Sequence, residues 1–344
     1  MARSTEGRSG KQIVNQVYDK TDVPADVADV LAEQQLEIVK IWRRGPRFWT
    51  GLVRLPDNGD IPGQEAVLKV VLNDWPWQLQ TNATEWHSSD QLLAEADVLL
   101  ALGEYRHRLS GHLPSILGHK RDRPAWTLRS MVYGRGIDLA ANGFGFDSTT
   151  WHSQDTKRLV NYIRDYQKLS LELPELAVST AKGDPQYMDA WVSWLDLDNP
   201  AEALTTYSYD IKNYLTDLVP WVKSLPHVLV HGEVYPMHIY VDEGKLALID
   251  WENAQRGNEM IDLVTYWLRG TTYTDWQTDF KRQVADSERL LNPNEFNKLW
   301  DFMVVTGAAG TIRHLELAPE IAPEFRQAAV TDLVQIVRTA LYQK

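Results

Sequence analysis

The sequence predicts an α+β protein of two lobes: a small lobe with a five-stranded antiparallel sheet and one helix, then a larger, mainly helical lobe. Three observations carry that expectation. Short strand-like runs alternate with turn-rich segments through the first 133 residues. Beyond Gly136 the apolar residues recur at helical rather than strand spacing. At 344 residues the chain exceeds the usual domain size and can bury two packed units.

The first ten residues read as a loose tail, and residues 25–35 (ADVADVLAEQQ) as a short helix of good helix formers. LEIVKIWRR, the turn Gly45-Pro46, RFWTGLVRL, the turn-rich PDNGDIPG and QEAVLKVVL then read as three antiparallel strands, with Lys69 in the third. Residues 88–103 switch to helix: Ser88 and Gln91 form a capping box, and Leu92, Ala96, Leu99 and Gly103 fall on one stripe. Two more strand-like runs, PSILGHK and AWTLRSMVY, flank the turn RDRP and end at the break Gly134-Arg135-Gly136. The lobes are therefore expected at 1–133 and 134–344. In the second, DTKRLVNYIRDYQKLSLEL places Leu159, Val160, Ile163, Tyr166 and Leu169 on one helical face. HVLVHGEVYPMHIYVDEGKLALIDWE interrupts the helices with strand-like runs around a polar loop and a Glu243-Gly244 turn, and helices close the chain.

Composition excludes several chemistries. With no cysteine there is no disulfide framework, thiolate metal site or cysteine nucleophile. The polar start MARSTEGRSGKQIVNQ lacks the apolar core of a signal peptide, and no apolar run approaches the roughly 20 residues of a membrane span, so a cytoplasmic protein with no membrane partner is expected. A formal net charge of −12 repels nucleic-acid phosphates and attracts cations. No nucleic-acid partner is expected; a cationic small molecule is one reading of the charge and ordinary cytoplasmic acidity the other. The pattern carries no signature of oligomeric state.

The chemistry concentrates between Val228 and Trp267. His231, Glu233 and His238 lie in a loop leaving one apolar strand, and Asp250 ends a second, LALID. Carboxylates at the ends of neighbouring strands converge on one metal or one acceptor group, the geometry phosphoryl transfer requires.

This stretch resembles the aminoglycoside phosphotransferase and choline kinase-like family, phosphotransferases of kinase-like fold. The resemblance lies in the order His-Gly-acid, four residues, a metal-binding position, a turn, Ile-Asp-Trp-Glu and a later Asp-Leu. It implies a two-lobed protein-kinase-like fold that binds ATP and Mg2+ between its lobes, with the acceptor held by helices of the second. It places Glu233 at the catalytic-base position, Asp250 and His238 at the metal-ligand positions, Asp262 where the loop is braced and His231 as a structural histidine. Lys69 takes the phosphate-binding position, and Glu95, on the helical stripe of Leu92 and Leu99, faces inward as its expected ion-pair partner; the alternative is a Lys69 facing solvent on an edge strand and a Glu95 at the helix margin. Met131, Val132 and Tyr133 stand at the lobe junction, where the family pairs backbone with adenine, or serve strand packing alone. No GxGxxG marks a phosphate loop.

Two positions depart from the commonest pattern. Glu233 stands where Asp is usual, moving the carboxylate by roughly one bond length, and a misplacement of about 1 Å costs on the order of 10²-fold. His238 replaces an amide oxygen with an imidazole, which suits Mn2+ better than Mg2+ unless the ring merely holds the loop. Trp191 and Trp194 beside Asp189, Asp196 and Asp198 offer a cation-π site for a cationic acceptor, or are core aromatics. The expected function is ATP-dependent transfer to a hydroxyl of an aminoglycoside, amino alcohol or sugar-like molecule; the alternative is a catalytically impaired nucleotide-binding protein of the same fold. The His-Arg-Asp and Asp-Phe-Gly signatures of protein kinases are absent.

Overall fold

In the computed structural model, which describes residues 23–44, 47–56, 64–73, 76–77, 86–140, 143–173, 195–287, 291–317 and 323–342, strand pairing follows the sequence alternation closely. The N-terminal tail, the Gly45-Pro46 turn, Asp189, Trp191 and Trp194 lie outside the described residues. Helix α1 (Ala25–Glu33) buries Val27 and Val30. It packs with Ile41, Trp49, Val53 and Leu68 on one face of a five-stranded sheet. The strands are β1 (Glu37–Arg44), β2 (Phe48–Arg54), β3 (Glu65–Val71), β4 (Ile116–Lys120) and β5 (Trp126–Ser130), in spatial order β1-β2-β3-β5-β4. All four pairings are antiparallel.

Helix α2 (Ser88–Glu104) joins the two lobes. Its first half sets Leu92 against Phe48, Val71 and Ala125 of the sheet lobe. Its second half sends Val98, Leu99 and Leu102 into the core of the helical lobe. The expected capping box is not made. Gln91 Oε1 instead accepts a hydrogen bond from Arg47 Nη1 at 3.1 Å, and Ser88 Oγ is buried with no partner among the described residues. A guanidinium within reach is a stronger donor for the carboxamide than the backbone N–H of the cap.

After a two-residue strand β6 (Arg135–Gly136), helix α3 (Ser153–Glu172) forms the spine of the second lobe. Leu159, Val160, Ile163, Tyr166 and Leu169 are all buried, as their spacing predicts. Each such side chain is worth about 1.5–3 kcal/mol when fully buried, so tertiary packing rather than local propensity holds this helix. Helix α4 (Ser208–Ser224) follows, then strands β7 (Val228–Val230), β8 (Ile239–Asp242), β9 (Lys245–Leu248) and β10 (Gln255–Gly257). Strands β8 and β9 form a hairpin in register Tyr240↔Ala247. Its turn residues Glu243 and Gly244 both have positive φ, as a two-residue hairpin turn requires. Helices α5 (Ile261–Trp267), α6 (Thr274–Asp286), α7 (Pro293–Leu317) and α8 (Pro323–Tyr342) complete the chain. Among the described residues no helix is long and apolar enough to cross a membrane.

Candidate active site

Strand parity fixes the sheet-lobe side of the site. Lys69 pairs with Thr50 on one side and Thr127 on the other, while Val67 pairs with Arg129. Directly opposed residues share a face, and so do residues two apart, so Lys69, Val67, Thr127 and Arg129 all face the same way. That face is covered by α2, which delivers the fully buried Glu95. Glu95 Oε1 accepts a close hydrogen bond from Arg129 Nη1, and its other oxygen lies 3.8 Å from Lys69 Nζ. The expected Lys69–Glu95 pair is thus a longer contact within a larger cluster. Lys69 Nζ reaches across the cleft instead, 2.9 Å from Asp250 Oδ1 and in a closer hydrogen bond with Glu252 Oε2. Two carboxylates outcompete one that a guanidinium has already neutralised.

A sharp turn brings those two acids there. Ile249 N donates to His238 O at 3.0 Å, ending the strand-like run. Asp250 then takes the left-handed conformation at φ 68, ψ 58 and heads the 3-10 turn Trp251–Asn253. The buried Trp251 pins the turn: its Nε1 donates to Leu248 O at 3.0 Å, and its ring packs against His231 and Tyr166. Burial alone would depress the Lys69 ammonium, but Asp250, Glu252 and Glu95 more than reverse this and hold it protonated, well above its usual range. Burial would likewise raise the Asp250 carboxyl; Lys69, His238 and Arg129 hold it ionised, well below its usual range. Glu95 goes the other way, raised by burial against the pull of Arg129 and Lys69.

The loop 231–238 supplies the facing groups. Gly232 has φ +84, and a Cβ there would meet Asn253 O at 2.5 Å, so only glycine lets the loop lie this close to the Asp250 turn. Asp262, at the start of α5, accepts from His231 N at 2.7 Å and Gly232 N at 2.8 Å and from Tyr166 Oη at 2.6 Å. Burial raises its carboxyl to about 6 against these three donors. The His231 tautomer follows from its partners. A carbonyl only accepts, so Nε2 carries the proton toward Ile249 O at 3.0 Å, and bare Nδ1 receives Glu233 N at 3.3 Å. Burial and the nearby His238 hold this ring neutral, with its pKa down to about 3.

His238 is oriented by the same logic. Its Nδ1 donates to the backbone oxygen of Glu233 at 2.9 Å, which turns Nε2 toward Asp250 Oδ2, 3.6 Å away; that nitrogen pairs with the carboxylate when it carries a proton and is a metal donor when it does not. Glu233, His238 and Asp250 each offer a donor atom within 4.8 Å of the others. Lone pairs aimed together in this way suit a divalent cation. The Glu233 carboxyl is raised by burial, against the field of His238, and takes a hydrogen bond from the Asn253 side chain.

A cavity of about 290 Å³ opens from Lys69 and Asp250 toward Trp42, Met131, Val132 and Tyr240. Of the lobe-junction residues, Met131 and Val132 line it. Tyr133 does not, being 59% exposed; the strand ends at Ser130, and the irregular link turns this ring outward. Sequence reasoning assigned no role to Arg129, Glu252, Asn253 or Arg269. Strand parity from Lys69 was a readable signal for Arg129. Arg269 stacks over Tyr235 at 4.2 Å and Phe144 at 4.3 Å behind the loop, a placement that no local pattern encodes.

The model of the phosphotransferase enzyme family matches residues 62–293. No curated protein matches the chain. Among solved structures, the apoenzyme of macrolide 2'-phosphotransferase MphH from Brachybacterium faecium is similar at TM-score 0.57 and 18% identity, covering 90% of this chain and 98% of that one. A thermostable mutant of aminoglycoside phosphotransferase APH(4)-Ia, crystallised with AMP-PNP and hygromycin B, is similar at TM-score 0.57 and 14% identity, with 92% and 99% covered. Spectinomycin phosphotransferase APH(9)-Ia with ADP and spectinomycin gives TM-score 0.54 at 10% identity, with 93% and 99% covered. Likeness at these identities is one of fold.

Proposed function

Since this chain belongs to the phosphotransferase enzyme family, we propose that it transfers the γ-phosphoryl group of ATP to a hydroxyl of a small molecule, an aminoglycoside, amino alcohol or sugar-like compound, in the cytoplasm. The observation that carries this reading is that Lys69 and Asp250 line the Met131–Val132 cavity while donor atoms of Glu233 and His238 lie within 4.8 Å of one on Asp250. The nucleotides and antibiotics in the similar structures agree with it.

Each residue then has a task. Asp250 and His238 hold the divalent ion, Mg2+ or Mn2+, which when bound neutralises charge on the phosphates. Lys69 leaves its carboxylates to meet the α and β phosphates. Glu233 orients the acceptor hydroxyl and takes its proton as the oxygen bonds to the γ-phosphorus and the bond to the β-phosphate oxygen breaks, releasing ADP. Burial suits Glu233 to this task, because a raised carboxyl accepts a proton more readily. Residues 1–133 would carry the nucleotide and residues 134–344 the loop, the metal and the acceptor. The net charge of −12 favours a cationic acceptor.

The test is transfer from Mg-ATP to a panel of amino sugars, amino alcohols, neutral sugars and macrolides, followed by phosphorus NMR. A new phosphate ester with a cationic acceptor is expected. Mg-ATP at 100 times its dissociation constant adds about 2.7 kcal/mol of stability. A thermal shift of that size with no transfer to any acceptor would instead mark a nucleotide-binding module.

His238 makes a separate expectation. Imidazole suits Mn2+ better than it suits Mg2+, so His238→Asn should move the preference from Mn2+ toward Mg2+ in kcat/KM measured with each ion. An unchanged preference would make His238 a loop-holding residue only.

A further inference from the structure

The cluster around Lys69 has more negative than positive members. Lys69 and Arg129 face Glu95, Asp250 and Glu252, with the donor atoms of Glu233 and His238 beside Asp250. Arg129 is committed to Glu95, and Lys69 lies nearer to Asp250 and Glu252 than to Glu95. The lysine that would serve the phosphates therefore sits on an acid that would hold the metal. Lys69 is nearly fully buried, and its ammonium also lies 4.7 Å from the centre of the Phe48 ring, so water does little to screen it.

We infer that Lys69 is the built-in counter-cation of the metal site, and that Glu252 is the positioning residue that shares its ammonium with Asp250 and holds it when Asp250 turns to a metal, until a nucleotide draws it away. Asp250 cannot serve Lys69 and a divalent ion equally, since both take the same carboxylate and repel each other across it. Metal alone must displace Lys69 from Asp250 and then tolerate it at close range. Nucleotide phosphates remove that conflict by giving the ammonium another anion. Metal and nucleotide should therefore bind with positive coupling, and the coupling should run through Lys69. Glu252 gives the ammonium a second carboxylate, so Lys69 keeps a partner even when it lets go of Asp250. The inference rests on the metal site of the proposed function, and concerns how that site is kept until a nucleotide arrives.

The experiment measures Mn2+ binding to the full chain without nucleotide, from the paramagnetic resonance signal of free Mn2+, for wild type, Lys69→Met and Glu252→Gln. Removing a cation at this distance changes a neighbouring equilibrium by about tenfold or more. Lys69→Met should therefore bind Mn2+ about tenfold or more tightly than wild type, although the same variant should bind ATP more weakly. Glu252→Gln should bind Mn2+ more weakly, because Lys69 then rests on Asp250 alone. AMP-PNP should raise Mn2+ affinity more in wild type than in Lys69→Met. Circular dichroism confirms folding, and if Lys69→Met does not fold, Glu252→Gln and the AMP-PNP coupling in wild type decide. Equal or weaker Mn2+ binding by a folded Lys69→Met would overturn the competition while leaving phosphoryl transfer standing. Absence of Mn2+ binding by every variant, with or without AMP-PNP, would overturn the metal site itself and with it the inference.

Discussion

Asp250→Asn is expected to lower phosphoryl transfer by on the order of 10³-fold, the size of the several kcal/mol of charge stabilisation a bound metal supplies, while leaving the protein folded. The substitution is chosen for the backbone as much as for the charge. Asp250 sits at φ 68, ψ 58, a conformation that asparagine tolerates and that costs other side chains on the order of 1 kcal/mol. Asparagine also keeps a side-chain oxygen for the Lys69 ammonium, now 2.9 Å from Oδ1. Only the negative charge is lost, and with it the ligand a divalent cation needs. Steady-state kinetics beside a thermal melt separates the two effects. Wild-type kcat/KM in a folded Asp250→Asn protein would remove this residue from the chemistry.

Asp262→Ala is expected to cost about 3–5 kcal/mol of stability, because it leaves His231 N, Gly232 N and the Tyr166 hydroxyl buried without an acceptor. Denaturant melts measure that loss directly. A loss under 1 kcal/mol would mean that the loop finds other acceptors. The same carboxylate makes a pH prediction with two opposite signs. Its pKa rises from 3.8 in the unfolded chain to about 6 in the fold, chiefly through burial. The folded state therefore holds the proton more tightly, and Asp262's contribution to stability is fully present below 3.8 and lost as pH rises through about 6. Activity runs the other way. The loop uses both carboxylate oxygens as acceptors, so protonation loosens it and turnover should fall as pH drops through about 6. Asp262→Asn should flatten the stability profile over that interval, and an unchanged profile would assign the titration elsewhere.

How much of this was readable depended on how local each feature is. The α3 stripe from Leu159 to Leu169 follows from helical spacing alone and is buried as predicted. The Glu243-Gly244 hairpin turn follows from turn chemistry, and the order of Glu233, His238 and Asp250 placed three donors that the structure brings within 4.8 Å. Partner choice across the cleft was not local. The expected Lys69–Glu95 pair is made at 3.8 Å, but Arg129, on the same sheet face, holds the other Glu95 oxygen, and Lys69 lies closer to Asp250 and Glu252. That preference depends on how closely the Asp250 turn approaches β3, which no spacing within either segment encodes. The outward turn of the Tyr133 ring was not local either: the strand stops at Ser130, and the residues after it no longer alternate.

The central claim is that these residues together move a phosphoryl group, and single-turnover transfer tests it most directly. Excess protein is mixed with ATP labelled at the γ-phosphate and a pool of amino sugars and amino alcohols, for wild type and Asp250→Asn in parallel. The label should pass into a phosphate ester of the acceptor with wild type and stay on nucleotide with Asp250→Asn. Label that stays on nucleotide with a wild-type protein shown to bind Mg-ATP, or that moves equally fast with both proteins, would contradict the account.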